Sequence, residues 1–468
     1  MRKILILVFT YFSVGSFAQN VTQKINSAVT IFLRDEQLKH AVVSLYVADE
    51  TGKTIYALNE QYGLAPASTQ KIFTSIAALS LLGKDFTYKT EIGYTGNINN
   101  GELTGNLIIK GHGDPTFGSW RYARTKPDSI INFIITTIRK AGIQKINGSI
   151  ILDDGAFSYQ PLPGGYVWDD MGNYYGSGSW AINWRENQYD LILKPGKNIG
   201  DSTTIIKTEP SITTSDYTNF ITTAKENSGD NTILYLPPYG NAAFAEGTIP
   251  KGVKDFTVSG AIAYAADQLK AELNSYFVMN NISLNGNIIT GASLQKEHMA
   301  IPSMNTKIAN YTSPTLDSIV YWFLQKSINL YGECLLKTVA YNKSHPGSTD
   351  DGVHELKRFW QQNGIDSSAI NISDGSGLSP QNRVTTFALA NALLYAQKQS
   401  WFPGFYNALP VYNNMKLKSG SINSVRSYAG YYTASNGRKY IVAIIVNNYD
   451  ASKGSVTPKI FKVLNALK

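Results

Sequence analysis

A serine and a lysine three residues apart carry the strongest chemical signal in this sequence. Ser68 and Lys71 lie in Pro66-Ala67-Ser68-Thr69-Gln70-Lys71, directly before apolar residues that recur at the spacing of a buried helix face. A serine hydroxyl becomes nucleophilic when a neighbouring base takes its proton, and a neutral lysine amine is such a base. Burial and nearby cations lower the pKa of a lysine toward neutrality. We therefore predict that Ser68 and Lys71 share one face at a helix start, where they could carry out acyl transfer.

The same spacing occurs a second time, in Ser293-Leu294-Gln295-Lys296. The motif is short, and either copy alone is typical of a helix start followed by a solvated lysine. Two later segments supply companions: Ser327-Ile328-Asn329 near a predicted helix start, and Lys418-Ser419-Gly420-Ser421 before a predicted strand. Order and spacing favour Ser68, because both companions follow it as a serine acyl-transferase site requires.

Length and composition indicate an exported, globular, multidomain protein. The chain has 468 residues, of which 43% are hydrophobic, enough for two or three domains. Residues 1–18 begin with basic residues, continue with an apolar run and end with small residues before the cleavage position, which predicts a secretory signal cleaved after Ala18. No other stretch approaches the eighteen apolar residues of a membrane span, so no transmembrane anchor is expected. With Cys334 as the only cysteine, an internal disulfide is excluded, and the bacterial periplasm is the expected location.

Charge and histidine patterns argue against two classes of partner. The formal net charge of +8 is spread thinly, without a basic block or nucleic-acid motif, so no nucleic-acid partner is expected. The histidines show no spacing typical of metal ligands, so we expect neither a metal nor another cofactor. They are His40, His112, His298, His345 and His354.

The pattern of apolar residues changes twice along the chain. Short apolar runs divided by Gly and Asn extend from about residue 85 to 295 and predict β-rich insertions, whereas residues 316–340 form a long apolar run in a helical region. Ser435-Asn436-Gly437-Arg438 predicts a hairpin turn between two late strands. Within the β-rich part, three segments resemble one another as a turn feeding a buried strand. They are 103–109, 146–152 and 284–289.

Taken together, these motifs resemble the class C low-molecular-mass penicillin-binding proteins, which are D-alanyl-D-alanine carboxypeptidases and endopeptidases. The resemblance covers nearly all of the chain after the signal segment. It rests on Ala65-Pro66-Ala67-Ser68-Thr69-Gln70-Lys71, Gly113-Asp114-Pro115-Thr116, Asn329-Leu330-Tyr331, Asp374-Gly375-Ser376-Gly377-Leu378-Ser379, Lys418-Ser419-Gly420 and Ala429-Gly430-Tyr431, together with the large insertion between the first and second motifs.

The resemblance implies an α/β (α+β) fold. Its transpeptidase-like domain would combine an antiparallel sheet flanked by helices with an all-helical part, and it would carry β-rich insertion domains. We expect the DD-peptidase domain at 19–84 and 296–468, an insertion domain at 85–160 and 256–295, and a nested β-rich insertion at 161–255.

The resemblance also implies residue roles. Ser68 would attack the penultimate D-alanine carbonyl, with Lys71 as base and Ser327 relaying the proton to the leaving D-alanine. Substrate would be bound by Asn329, Lys418, Ser419, Gly420 and Ser421, the backbone N–H groups of Ser68 and Ser421 forming the oxyanion hole.

In relatives an acid from the insertion faces the peptide amino group, and Asp170 is the candidate for that role here. A surface turn acid is the alternative interpretation of Asp170.

The expected partners are peptidoglycan stem peptides, with β-lactam antibiotics as covalent inhibitors. Two other functions stay open: a serine β-lactamase or esterase of the same fold, and a secreted wall-binding protein without catalysis. The sequence leaves open a homo-oligomer, the balance of carboxypeptidase and endopeptidase activity, and the diamino acid preferred in the stem peptide.

Overall fold

The computed structural model describes residues 21–212, 216–240, 242–343 and 346–468. The predicted signal segment and His345 lie outside these ranges. Within them, no helix has the length and apolar character required to cross a membrane.

The helices and strands alternate in a mixed α/β arrangement, which confirms the predicted fold class. The helices are α1 (21–33), α2 (Lys71–Leu82), α3 (Pro127–Lys140), α4 (Trp168–Met171), α5 (Ala265–Met279), α6 (Gly291–Lys296), α7 (Leu316–Gln325), α8 (Asn329–Tyr341), α9 (Thr349–Gln362), α10 (Thr386–Gln397), α11 (Phe402–Ala408) and α12 (Thr457–Leu464). The strands are β1 (Val42–Asp49), β2 (Thr54–Leu58), β3 (Lys89–Tyr94), β4 (Asn97–Asn99), β5 (Glu102–Thr104), β6 (Leu107–Lys110), β7 (Lys145–Ile146), β8 (Ile150–Asp153), β9 (Gln188–Lys194), β10 (Thr204–Glu209), β11 (Asp216–Asn219), β12 (Thr222–Ala224), β13 (Asn231–Tyr235), β14 (Ala242–Pro250), β15 (Phe256–Ala261), β16 (Ser283–Leu284), β17 (Ile288–Thr290), β18 (Thr306–Thr312), β19 (Ile370–Asn371), β20 (Arg383–Val384), β21 (Val411–Tyr412), β22 (Met415–Ile422), β23 (Val425–Thr433) and β24 (Lys439–Asn447).

The chain forms two compact units. The first takes the chain up to Leu81, Val320–Ser327 and Val353–Lys468, and the second takes Leu82–Ile319 and Ile328–Gly352. The boundaries of the nested insertions expected from the sequence stay predictions.

An antiparallel sheet in the order β2-β1-β24-β23-β22-β21 organises the first unit. Strand β24 is buried along seven of its nine residues, because helices cover both faces of the sheet. Apolar residues of α1 and α12 join one core with alternate residues of β1 and β24, such as Leu45 and Ile444. Helix α10 packs on the sheet through β24 and β1, and Thr385 caps it by accepting from the Ala388 N–H, as its threonine-rich start predicts.

The three similar segments form two stacked ladders in the second unit, which confirms that each is a turn feeding a buried strand. Strands β5, β7 and β16 pair in parallel in one sheet, and β6, β8 and β17 pair in parallel in another. A Cβ on Gly148 would lie 2.2 Å from the Gly105 oxygen, and one on Gly286 would lie 2.4 Å from the Gly148 oxygen. Glycine therefore recurs because the turns stack backbone on backbone. Helices α3 and α5 cover this core.

Strands β9 to β15 form two further sheets in the second unit. One has the order β10-β9-β15, and the other has β11-β14-β12 with β13 paired to β14. The apolar core of this part includes Leu191, Leu193, Leu234 and Ile249. These strands account for the β-rich character predicted for the insertion.

Candidate active site

Ser68 and Lys71 form a partly buried hydrogen-bonded pair. Lys71 is fully buried, and its Nζ donates to Ser68 Oγ at 2.8 Å and to the Ser376 carbonyl at 2.7 Å. The sequence predicted one continuous helix start, but Ser68 lies in a 3₁₀ turn, Ala67–Gln70, and Lys71 begins α2. The tighter turn nevertheless brings the two side chains together.

The turn that presents Ser68 is tied to strand β23. Ala67 has a left-handed φ of +47°, an uncommon backbone conformation for a residue with a side chain. The Pro66 carbonyl accepts hydrogen bonds from Thr69 Oγ1 at 2.8 Å and from Ser427 Oγ, on β23, at 2.5 Å. These bonds compensate for the unusual geometry, so the position of Ser68 is set by the sheet as well as by its own helix.

Strand β22 passes very close to this turn. A Cβ on Gly420 would lie 2.3 Å from Ser427 Oγ, 2.5 Å from the Pro66 oxygen and 2.9 Å from the Ser68 nitrogen. Only glycine allows the strand to approach so closely. The predicted Lys418-Ser419-Gly420 segment is therefore brought to the Ser68 turn, and the exposed Ser421 follows on the same strand.

Lys418 is a second buried lysine in this group. It is 1% exposed, and its Nζ donates to the Ser419 carbonyl at 2.8 Å. Burial lowers the pKa of Lys418 well below its ordinary value, and the positive charge of Lys71 lowers it further. Ser419 is half-buried and donates its hydroxyl to Tyr412 at 3.2 Å.

A loop organised by Asp374 provides the carbonyl that Lys71 contacts. One carboxylate oxygen of Asp374 accepts from the Gly377 N–H and from Asn382, and the other accepts from the Ser379 N–H. Burial raises the pKa of Asp374, and these hydrogen bonds oppose that rise. Gln70 donates to both the carbonyl and the carboxylate of Asp374. In the sequence, Asp374–Ser379 contributed to the family resemblance, and no catalytic or binding role was predicted for it.

Ser327 and Asn329 flank the junction between α7 and α8. The apolar run 316–340 is divided there, because Ser327 has a left-handed φ of +57°. Phe323, in the last turn of α7, places its ring centroid 5.8 Å from Lys71 Nζ. Asn329 is the first residue of α8 and donates its Nδ2 to the Tyr175 carbonyl at 2.8 Å.

A polar stripe on α8 holds the loop that carries Asp170. This 160–179 loop is contacted at successive helical turns by Asn329 (at Tyr175), by Glu333, which accepts from Tyr166, and by Lys337. Lys337 is fully buried and donates to the carbonyls of Gln160 at 2.8 Å and Ser179 at 3.0 Å, one at each end of the loop. Helix α8 therefore contacts the loop both at its two ends, Gln160 and Ser179, and between them, at Tyr166 and Tyr175.

Asp170 lies half-buried in α4, within this loop. The pKa of Asp170 is raised to about 6, chiefly by burial; a hydrogen bond from Tyr175 opposes the rise, and the charge of the neighbouring Asp169 adds to it. The Ser68 group and the Asp170 loop thus lie in different units, and the structure brings together Ser68, Lys71, Lys418, Ser419 and Gly420.

Metal chemistry has no support among the described side chains. Within the described ranges, no group of three or more His, Cys, Asp or Glu residues could hold a metal ion. Cys334 is buried on α8, burial raises the pKa of its thiol, and its sulfur accepts a hydrogen bond from Asn183. This environment disfavours a thiolate nucleophile.

Comparison with known proteins identifies the family. The sequence model of the D-Ala-D-Ala carboxypeptidase 3 (S13) family matches residues 25–466. The chain belongs to this family. It is 26% identical over 472 residues to the D-alanyl-D-alanine carboxypeptidase DacB of Haemophilus influenzae, covering 95% of this chain and 91% of that protein. The S13 family is a family of serine peptidases, so the chain is a serine peptidase of the D-Ala-D-Ala carboxypeptidase type.

Solved structures show the same fold. The crystal structure of penicillin binding protein 4 (dacB) from H. influenzae matches with a TM-score of 0.76 at 24% identity, covering 96% of this chain and 98% of that one. A second structure of that protein, in complex with a β-lactam, matches with a TM-score of 0.72 at 23% identity, covering 96% and 99%. The transpeptidase-like fold implied by the sequence motifs is therefore confirmed.

Proposed function

We propose that this S13 protein hydrolyses the terminal D-alanyl-D-alanine bond of peptidoglycan stem peptides through an acyl-enzyme on Ser68. The observation that carries the proposal is the 2.8 Å hydrogen bond between the fully buried Lys71 Nζ and the half-buried Ser68 Oγ. No exposed lysine could act in this way at neutral pH, because its amine would be protonated.

In the proposed first step, the neutral amine of Lys71 accepts the Ser68 hydroxyl proton while Oγ attacks the carbonyl of the penultimate D-alanine. Negative charge develops on the carbonyl oxygen, and the backbone N–H groups of Ser68 and Ser421 stabilise it. The close approach of Gly420 to the Ser68 nitrogen supports this pairing of donors.

The tetrahedral intermediate then collapses, the peptide bond breaks, and the leaving D-alanine amine takes the proton through Ser327. Water later attacks the ester, and Ser68 regains its proton. Lys418 lies close enough to Lys71 for their positive charges to repel each other, which disfavours protonation of both amines at once and supports the role of Lys71 as base.

For recognition, we propose that Lys418 and Ser419 bind the terminal carboxylate of the substrate. A substrate carboxylate beside Lys418 would favour the protonated form of this lysine, which then donates to the carboxylate, and Ser419 supplies a hydroxyl donor. Asn329 is proposed to bind the substrate amide, and Asp170 the amino group of the stem peptide. The hydrogen bond from Asn329 Nδ2 to the Tyr175 carbonyl supports its role, because it holds the side-chain amide in one orientation.

We further propose that penicillin acylates Ser68. A β-lactam presents a strained amide and a carboxylate to the same groups, and the H. influenzae relative has been crystallised with a β-lactam. The proposed site of action is the periplasm, reached through the signal segment at residues 1–18.

The direct test is D-alanine release from a stem pentapeptide that ends in D-Ala-D-Ala. We expect release by the wild type, none by Ser68→Ala, and none from a matched peptide ending in L-Ala-L-Ala. Equal release by wild type and Ser68→Ala would overturn the proposal. Rapid turnover of penicillin without D-alanine release would instead favour the β-lactamase alternative.

A further inference from the structure

A cavity of about 220 Å³ opens within the second unit, and none of the residues proposed for acyl transfer lines it. Its lining includes Tyr159, Tyr239, Trp180 and the first turn of α5. At roughly 30 Å³ per water molecule, the volume corresponds to about seven waters. This is the size of one sugar ring, and it is too small for a folded peptide segment.

An exposed aromatic pair forms one wall of the cavity. The rings of Tyr159 and Tyr239 stack with centroids 4.8 Å apart and planes inclined by 11°, and the side chains are 43% and 51% exposed. The Tyr239 hydroxyl donates to the Tyr159 backbone carbonyl. Trp180 packs edge-on against both rings and against Tyr264. Two loops distant in sequence thus hold a flat apolar face toward solvent, which is typical of a ligand platform.

A half-buried carboxylate lies in the same cavity. Asp267 is half-buried, and within the described part of the chain no side chain or backbone group pairs with its carboxylate at hydrogen-bond or ion-pair distance. Burial raises the pKa of Asp267 because it removes part of the hydration of the carboxylate, and the positive charge of Lys270 opposes that rise only in part. A ligand that donates a hydroxyl or amide N–H would remove this penalty.

The second ionisable group of the lining decides the charge of the ligand. Lys296 also lines the cavity and is exposed, so the cavity carries one carboxylate and one ammonium. An ammonium ligand would be attracted by Asp267 and repelled by Lys296, and an anionic ligand the reverse, so the two groups give little net attraction to a charge of either sign. The lining therefore favours a neutral ligand with donors, acceptors and one flat apolar face.

We infer that this cavity binds a neutral, acetamide-bearing pyranose, the class of sugar that forms the glycan strands of bacterial walls. The C–H face of the ring packs on Tyr239 and Tyr159, and its hydroxyl or acetamide N–H donates to Asp267. The choice of a wall sugar rests on the proposed function. The second unit would then hold the glycan strand whose stem peptides the enzyme cleaves.

The test titrates the full-length mature protein with N,N′,N″-triacetylchitotriose and follows tryptophan fluorescence and heat. We expect saturable binding by the wild type and at least tenfold weaker binding by Tyr239→Ala and by Asp267→Asn. Tyr62→Ala serves as the control, because Tyr62 is 58% exposed and outside the cavity. Circular dichroism and thermal unfolding establish that each variant is folded.

Two results would overturn the inference: no binding of the trisaccharide by the wild type, or equal binding by wild type and Tyr239→Ala. Binding of a free stem pentapeptide in place of the sugar, lost in Tyr239→Ala, would overturn the assignment of ligand class. Penicillin acylation of the wild type is measured in the same sample. Acylation by penicillin without sugar binding would overturn only the inference of a sugar site. Sugar binding without acylation would overturn only the proposed function.

Discussion

The two Ser-x-x-Lys segments of this chain have the same spacing and very different environments. Lys71 is fully buried and donates to Ser68 at 2.8 Å. In α6, by contrast, Ser293 is exposed and shares a hydrogen bond with Thr290 at 2.9 Å, and Lys296 is the exposed last residue of the helix. In one copy the serine and the lysine are hydrogen-bonded to each other, and the other copy is a helix start with an exposed lysine.

The difference shows that the surroundings, and not the motif, determine whether the serine and the lysine are hydrogen-bonded to each other. Ser68 has β22 against its turn, a second buried lysine at Lys418, and the Asp374 loop that offers a carbonyl to Lys71. Lys337 provides a comparison within the same protein. It is as buried as Lys71, but its Nζ donates to the backbone carbonyls of Gln160 and Ser179. Burial lowers the pKa of that lysine to about 8 without placing it beside a nucleophile.

The largest expected effect comes from removing the base of the first copy. Lys71→Met should slow acylation by a fluorescent penicillin by about 10²- to 10⁴-fold, the usual contribution of a general base. The rate is measured by stopped-flow or gel labelling. Lys39→Met, at an exposed lysine, should label at the wild-type rate. A rate for Lys71→Met within threefold of wild type would contradict the role of this lysine.

The close approach of β22 gives the next largest effect. Gly420→Ala forces a Cβ to within 3 Å of Ser427 Oγ, the Pro66 oxygen and the Ser68 nitrogen. Displacing the reacting group by about 1 Å can lower the rate by about 10²-fold, and overpacking destabilises by about 1–3 kcal/mol. Acylation rate and thermal unfolding measure both. Gly63→Ala, where the nearest atom is at 3.4 Å, should change neither.

Lys337 provides a pH test of a buried lysine. Lys337→Met leaves the Gln160 and Ser179 carbonyls without this donor, which should destabilise the 160–179 loop by about 1–3 kcal/mol. Because its folded pKa is about 8 against 10.5 unfolded, the unfolded chain binds more protons between those values. Wild-type stability should therefore gain from this lysine as pH rises through that window.

Amide exchange of the 160–179 loop at pH 7.5 and pH 10 measures this effect. We expect the difference between wild type and Lys337→Met to grow at the higher pH, with Lys140→Met, at an exposed helix end, matching wild type. If the difference in amide exchange between wild type and Lys337→Met became smaller as the pH rises, the predicted direction of the pH dependence would be wrong.

The smallest expected effect belongs to the second copy. Thr290 caps α6 by accepting from the Ser293 N–H, so Thr290→Ala should lower stability by about 1 kcal/mol. Thermal unfolding measures the loss, with the exposed Thr306→Ala as control. The penicillin labelling rate should not change. A slowed rate would mean that the second copy contributes to the chemistry.

The sequence predicted the parts of the molecule whose signals are local. Ser68 and Lys71 are separated by three residues, so any helical turn places them together. The hairpin at Ser435–Arg438 and the Thr385 cap likewise follow from residues close in the chain. The repeated glycines at 105, 148 and 286 were recognisable because each stacked turn imposes the same steric requirement on its own segment.

The parts that could not be predicted depend on partners distant in sequence. Lys337 donates to backbone carbonyls more than 150 residues away in the chain. Because every residue has a backbone carbonyl, the residue types at those positions do not reveal such a contact. Asp374 organises a loop that contributes one backbone oxygen to the site, the Ser376 carbonyl that accepts from Lys71. The break between α7 and α8 depends on a left-handed serine, a conformation that composition does not encode.

The central claim is that Ser68 is the nucleophile of a serine peptidase site. Intact-mass spectrometry of the protein with benzylpenicillin, followed by peptide mapping, tests it most directly. We predict one stable penicilloyl group, located on Ser68 and absent both from the peptide containing Ser293 and from the Ser68→Ala variant. An adduct that persists in Ser68→Ala, or the absence of both adduct and penicillin turnover in the wild type, would contradict the assignment.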